Sequence, residues 1–274
     1  MFSNVRLNRS SASGNVASCG DDLSAMEHDP FESPRLLLEG AKRHIIILKD
    51  RFEAHRLTDG AISHAVQHPR GVIIKPGLPL PKDFPQIAFD IVNNLRSTLD
   101  HSVFSSVTLL TGRELDGTKF PFGDTQADAW KDAKRKCKHV PHDILNFCLS
   151  FAPYPQGNKP LWGLNKLRNT KSHRILIPMI SKLNPAFLGE SHPGIVEKQS
   201  EWNPANGMFE VEINQRKEPN TMAAFSFKLD MCIGTGTFIG EPAIGVFDNL
   251  CGITERILSG IETETARILR ERDS

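Results

Sequence analysis

The sequence predicts a single α+β domain. A helical part over about residues 35–172 packs with a small antiparallel sheet over about 174–233 and a C-terminal helix, after a disordered arm over residues 1–34. Three observations predict this. Apolar residues recur at helical spacing through most of the chain before Arg174. The pattern then changes to runs rich in β-branched and aromatic residues. Helix and strand signals are grouped rather than alternating, which argues for α+β over a doubly wound sheet.

The elements follow in order. Met1–Pro34 is rich in Ser, Asn, Gly and Asp and has no apolar period, so it reads as a disordered arm. Leu37, Ala41, Ile45, Leu48 and Phe52 mark an amphipathic helix from Arg35 to about Leu57. Ser33 is its expected N-cap, with Pro34 at the first helical position. Ile62–Ile74 is β-like, through His64, Val66, Val72 and Ile74. PGLPLPKDFP then imposes an extended, helix-free connection. A second helix runs from about Phe84 to Thr111. Gly112–Thr125 reads as loop, Ala127–Lys138 as a short charged helix and His142–Phe151 as one or two helical turns. APYPQGNKP is a break, and Leu161–Ser172 is helical again. Arg174–Ile180, Met208–Asn214 and Ala223–Ile233 read as strands, with RKEPN as a hairpin connection between the last two. Ala243–Arg270 carries Ile244, Phe247, Leu250, Ile257, Ile261 and Leu269, as one long helix or two shorter ones.

Composition narrows the function classes. Lys and Arg number 33 against 32 Asp and Glu, a formal net charge of +1. So even a balance gives no global field for nucleic acid or an anionic membrane, and any such contact needs a local patch. The one dense basic run is WKDAKRKCKH, Trp130–His139, which reads as a solvated helix face or as a source of phosphate contacts. The five cysteines, Cys19, Cys137, Cys148, Cys232 and Cys251, are widely spaced without a C-x-x-C. Reduced thiols are the simpler reading, and the expected location is the cytoplasm. No run approaches the ~20 apolar residues of a membrane span. MFSNVRLNRS lacks the apolar core of a signal peptide. His64 and His68 are four apart but have no carboxylate beside them, so no metal site is expected. GTGTFIG, Gly234–Gly240, lacks a P-loop lysine and reads as a strand-to-helix loop. No cofactor is expected.

The helix IAFDIVNNLRSTLDHSVFSSV, Ile87–Val107, carries the candidate site. Ile87, Ala88, Ile91, Val92, Leu95, Leu99 and Val103 form one apolar stripe. Asn93, Asn94, Arg96, Ser97, Asp100 and His101 fall on the other side, and Arg96 and Asp100 stand four apart, in pairing distance. Two mid-helix asparagines are poor choices by propensity, and the face lacks the Lys and Glu of an ordinary exposed surface. A hydrogen-bonding set of this kind suits a site or a buried polar network. As a site it points to phosphodiester chemistry. His101 would move a proton at a ribose 2′-hydroxyl or leaving oxygen, Arg96 would hold the phosphate, and Asp100 and Asn94 would orient them. A second segment repeats the theme. Arg168, Asn169, Lys171, His173 and Arg174 place cations and amides near a helix end, as substrate-binding groups or as charges that complement the helix dipole.

Three blocks, NLRSTLDH (Asn94–His101), KFPFGDT (Lys119–Thr125) and APYPQGNKPLWGLNKLRNTKSHRIL (Ala152–Leu176), resemble a family of uncharacterised bacterial proteins over roughly Phe84–Leu176. In that family a lysine directly precedes the histidine, whereas Ser172 separates Lys171 from His173 here. A wider resemblance is to HEPN domains, helical modules of bacterial ribonucleases marked by an Arg, often a polar residue, and a His shortly after. Arg96–Ser97…His101 and Arg168–Asn169…His173 fit that spacing. The resemblance implies a metal-independent ribonuclease acting on RNA, and a homodimer in which the Arg–His pairs of two chains meet. The opposing reading is a non-catalytic interaction or structural module, in which Arg96, Asp100 and His101 hold the fold together. Burial separates the two: a site leaves the Arg and His tips open in a cleft, whereas a structural network satisfies them inside.

Overall fold

A computed structural model describes residues 29–58, 65–68, 71–74, 78–169, 175–183, 197–203, 208–213 and 227–274. The described chain is mostly helical, with antiparallel strands and a long C-terminal helix. Six α-helices are described: α1 Glu32–Arg56, α2 Phe84–Thr111, α3 Gln126–Lys136, α4 His142–Ser150, α5 Lys159–Arg168 and α6 Ala243–Arg272. The strands are β1 Ala65–His68, β2 Gly71–Ile74, β3 Leu176–Leu183, β4 Glu197–Asn203, β5 Met208–Ile213 and β6 Phe227–Ile233.

Helix α2 lies at the centre, packed between α1 and α6 and touched by α5. Its apolar stripe is fully buried from Ala88 through Ile91, Leu95 and Leu99 to Val107. Against it stand Leu38, Ala41, Ile45 and Leu48 of α1 and Phe247, Ile257 and Ile261 of α6. Burial extends round α2 beyond the stripe. Thr98, Ser102 and Ser106 are also inside, where small hydroxyl residues let helices approach closely and satisfy themselves locally. Ser102 Oγ donates to the Thr98 carbonyl at 2.6 Å, and Ser106 Oγ meets Thr265 Oγ1 of α6 at 2.7 Å. Gly112 ends α2 in a left-handed conformation, φ 66°, with its N–H on the Thr108 carbonyl at 2.8 Å.

Several boundaries differ from the sequence expectation. Helix α1 begins at Glu32, so Ser33 and Pro34 lie within its first turn and Ser33 is not the N-cap. Ser33 turns its hydroxyl to another helix instead, as shown below. The helical part ends at Arg168 rather than near Ser172. The sheet is not confined to about 174–233: the hairpin β1–β2, which precedes α2, joins it. The four-stranded order is β1-β2-β5-β4, with Val72 opposite Val211 and Ile74 opposite Phe209. A separate two-stranded ribbon pairs β3 with β6. Among the described residues β5 and β6 lie in different sheets, and the expected hairpin connection RKEPN lies outside the described residues. Strand β4 was not foreseen. Its sequence EKQSEWN is polar, and among the described strands it lies at one edge of the four-stranded sheet.

Candidate functional site

Arg96 and Asp100 project from α2 toward the segment Thr118–Gly123 and toward α5. Arg96 is 3% exposed. Its Nε donates to Asn165 Oδ1 of α5 at 3.3 Å, one terminal nitrogen donates to the Phe120 carbonyl at 3.4 Å, and the other pairs with Asp100 Oδ1. The guanidinium carbon sits 4.4 Å from the centre of the Phe122 ring, a cation–π contact. Burial lowers the Arg96 pKa from its ordinary value, opposed by the Asp100 carboxylate. Asp100 completes the network. Its Oδ1 also accepts the Phe120 N–H at 2.9 Å, and its Oδ2 lies 3.6 Å from the Arg168 guanidinium. One ion pair thus ties three pieces of chain together: α2, the Phe120–Phe122 strap and α5.

The strap is shaped by its own residues. Phe120 is fully buried and its ring lies 5.2 Å from that of Phe122. Gly123 is required next. A methyl on it would fall within 2.7 Å of the Ala129 Cα at the start of α3. Thr125 then caps α3, its hydroxyl accepting the Asp128 N–H at 3.1 Å. Beyond the strap lies a cleft lined by Phe122, Gly123, Asp124, Asp132, Trp162 and Asn165. Trp162 Nε1 donates to Asp124 Oδ1 at 2.9 Å, and Lys166 reaches the same oxygen at 2.7 Å while lying 5.0 Å from the Trp162 ring centre. These two donors hold the Asp124 carboxyl below its usual range. Burial would raise Asp132, but Arg135, Lys136 and the Phe122 N–H outweigh it and its pKa is lowered.

The predicted residues divide between two sides of α2. Arg96, Asp100 and Arg168 come together at the α5 side. His101 is exposed on the α1 side, its Nδ1 2.8 Å from Ser33 Oγ. Five residues at ~100° each separate Arg96 and His101 by about 140° around the helix. Asn94 is half-buried on the α1 side too, where a methyl on Gly40 would lie 3.0 Å from its Nδ2. Asn169 caps the end of α5, donating from Nδ2 to the Asn165 carbonyl at 3.1 Å. Lys171, His173 and Arg174 lie outside the described residues, as does His64 of the histidine pair. Among the described residues, no group of three or more His, Cys, Asp or Glu is placed to hold a metal ion.

The sequence reading did not assign roles to Phe120, Phe122, Gly123, Asp124, Asp132 or Trp162. The available signal was the proximity of KFPFGDT and LWGLNKLR to the polar helix in the family-like blocks. No protein-family model, curated protein or solved structure matches the chain. No described helix is long and apolar enough to cross a membrane.

Proposed function

We propose that the chain is a non-catalytic interaction module, in which Arg96 and Asp100 form a structural polar network and binding is done by the surface that network keeps in shape. The observation that carries this is the state of Arg96. Each nitrogen of its buried guanidinium is hydrogen-bonded within its own chain, to Asp100, Asn165 or the Phe120 carbonyl, and the Phe122 ring lies against it. A phosphate-holding arginine needs donors open to a ligand. His101, the matching acid–base group, faces away from it toward Ser33. The homodimer implied by the HEPN-like resemblance would join surfaces, and a second chain has no access to a guanidinium buried in this way.

The competing proposal, a metal-independent HEPN-like ribonuclease using Arg96 and His101, is decided by the same experiment. Wild type, Arg96→Ala and His101→Ala are incubated with pooled cellular RNA in EDTA, and each is melted thermally. The expected result is intact RNA throughout, a large loss of stability in Arg96→Ala and a nearly unchanged melt in His101→Ala. RNA cleavage by wild type that disappears in folded His101→Ala would overturn the module reading.

A further inference from the structure

The groove between α3 and α4 combines aromatic rings with open amide groups. Two aromatic side chains line it: Trp130, 40% exposed, and Tyr154, the only tyrosine in the chain. Around them stand two carboxamides, Gln126 and Asn146, and the hydroxyl of Ser150. Gln126 and Asn146 are exposed, and neither side chain has a hydrogen-bond partner among the described residues. Each carries both a donor and an acceptor. Ser150 donates its proton to the Phe147 carbonyl at 2.7 Å, which leaves its oxygen free to accept.

Tyr154 is held where it is by a tight turn. Ala152 has φ 50°, in the left-handed region that a residue with a side chain seldom adopts. Its carbonyl accepts the N–H groups of Tyr154 at 2.7 Å and of Asn158 at 2.8 Å. Gly157 closes the turn beneath the ring, since a methyl there would lie 2.9 Å from Tyr154 Cε2. The aromatic wall is therefore set before any ligand arrives.

Cations stand on the elements that flank the groove. Lys134 is exposed on α3, one turn beyond Trp130, and Lys138 and His139 are exposed in the turn that leads to α4, while Lys131 lines the neighbouring cleft with Asp124 and Asp132. Lys131, Lys134 and Lys138 make no ion pair among the described residues, whereas Arg135 and Lys136 are bound to Asp132. Asp143 pairs with Arg267 at 3.2 Å, and Asp128 accepts a hydrogen bond from the neutral Thr125 hydroxyl. The chain has almost no net charge, so a polyanion needs a local patch, and Lys134 and Lys138 supply one here.

We propose that the α3–α4 groove binds single-stranded nucleic acid. One base stacks on Trp130 and Tyr154, Asn146 and Gln126 bond its edge, and Lys134 and Lys138 hold the flanking phosphates. Aromatic faces beside a basic track are the general means of gripping unpaired strands. Paired bases are excluded, because a base inside a duplex offers no open face to a groove wall. The proposal deepens the module reading above and rests on it for the absence of turnover.

The test is fluorescence anisotropy of short labelled oligouridylate and oligoadenylate, with the matching DNA strands and an RNA duplex beside them. Wild type is compared with Trp130→Ala, Asn146→Ala and the double change Lys134→Glu with Lys138→Glu. Lys49→Glu, on the exposed side of α1, serves as control, and circular dichroism checks that each variant folds. Single strands are expected to bind in preference to the duplex, with DNA beside RNA reporting whether the sugar is read. Loss of one stacking partner should weaken binding roughly 5- to 150-fold in Trp130→Ala. The lysine pair should weaken it and flatten the salt dependence, whose logarithmic slope falls by about 1.4 when two phosphate contacts go. Should Trp130→Ala not fold, Trp130→Phe and Asn146→Ala carry the same comparison. Absence of binding by wild type, equal binding of the duplex, or binding unchanged in the folded groove variants would each overturn the proposal. A gel of the same samples reads strand cleavage separately. Cleavage would overturn the non-catalytic reading alone, whereas intact strands without binding would overturn the groove alone.

Discussion

Asp100 Oδ1 is shared between the Arg96 guanidinium and the Phe120 backbone N–H, the latter at 2.9 Å, so a single oxygen joins the central helix to the strap that crosses it. Arg96 in turn gives a hydrogen to the carbonyl of the same Phe120. The strap thus has both backbone polar groups at Phe120 satisfied by one ion pair. A buried N–H or carbonyl without a partner costs ~1–3 kcal/mol, which makes this pair a structural requirement wherever the strap is to be buried.

Breaking the pair from one side should be worse than removing it from both. Arg96→Met leaves Asp100 without its chief counter-ion and is expected to cost about 3–5 kcal/mol. Arg96→Met combined with Asp100→Asn should cost clearly less than the sum of the single changes. Urea unfolding of the four proteins, read as a double-mutant cycle, checks this. Strict additivity would mean that the pair is not coupled.

Gly123→Ala is expected to destabilise by ~1–3 kcal/mol, because the added methyl meets backbone at Ala129 rather than a side chain that can move. Thermal melting reads the loss. The neighbouring Thr125→Ala should cost about 1 kcal/mol through loss of the α3 N-cap alone.

Gly163→Ala sets a methyl 2.5 Å from Phe238 Cε2, the ring that α5 packs against. A cost of ~1–3 kcal/mol follows. Since the obstacle is a side chain, Phe238→Leu should recover part of it, and the recovered fraction is the coupling between the two positions. No recovery in the double variant would place the damage in the α5 backbone.

Four cysteines, Cys137, Cys148, Cys232 and Cys251, are buried and free. In a Cys19→Ser background the folded protein should therefore react with a thiol reagent only as fast as it opens, and should yield four thiols in denaturant. Burial, with Asp132 nearby, pushes the Cys137 thiol up to about 11, and burial raises Cys232 to about 12. A thiol whose folded pKa is raised stabilises the fold fully below its unfolded pKa, ~8.5, and progressively less above it. Stability should fall as pH rises from about 8.5 toward 11, by up to ~1.4 kcal/mol per pH unit for each such thiol. Cys137→Ser combined with Cys232→Ala should flatten that slope in pH-dependent urea titrations.

The helices were legible because their apolar residues repeat at the helical period. Helix α2 runs over the expected span from about Phe84 to Thr111, although Phe84 and Pro85, the end of the run PGLPLPKDFP expected to be helix-free, form its first turn. Strand β4 was not legible. EKQSEWN lacks apolar alternation, and only pairing with β5 makes it a strand. The polar face of α2 was visible as unusual, but a helical wheel reports direction and not what lies there. The wheel put Arg96 and His101 in one polar group, while α5 and the Phe120 strap cover the first and leave the second open to α1.

The sequence by itself determined the helical elements, the place of glycine and proline at their ends, and the hydrogen-bonding set on α2, because these depend on neighbours within a turn or two. Tertiary structure alone decided that β2 pairs with β5 across the intervening helices. It also decided that Asp100 is tied to Phe120 and Arg96 to Asn165 of α5. It alone brought Trp130 and Tyr154 to one groove. Those pairings join residues far apart in the chain. They arise from burying apolar faces together, a nondirectional force whose partners no local pattern records.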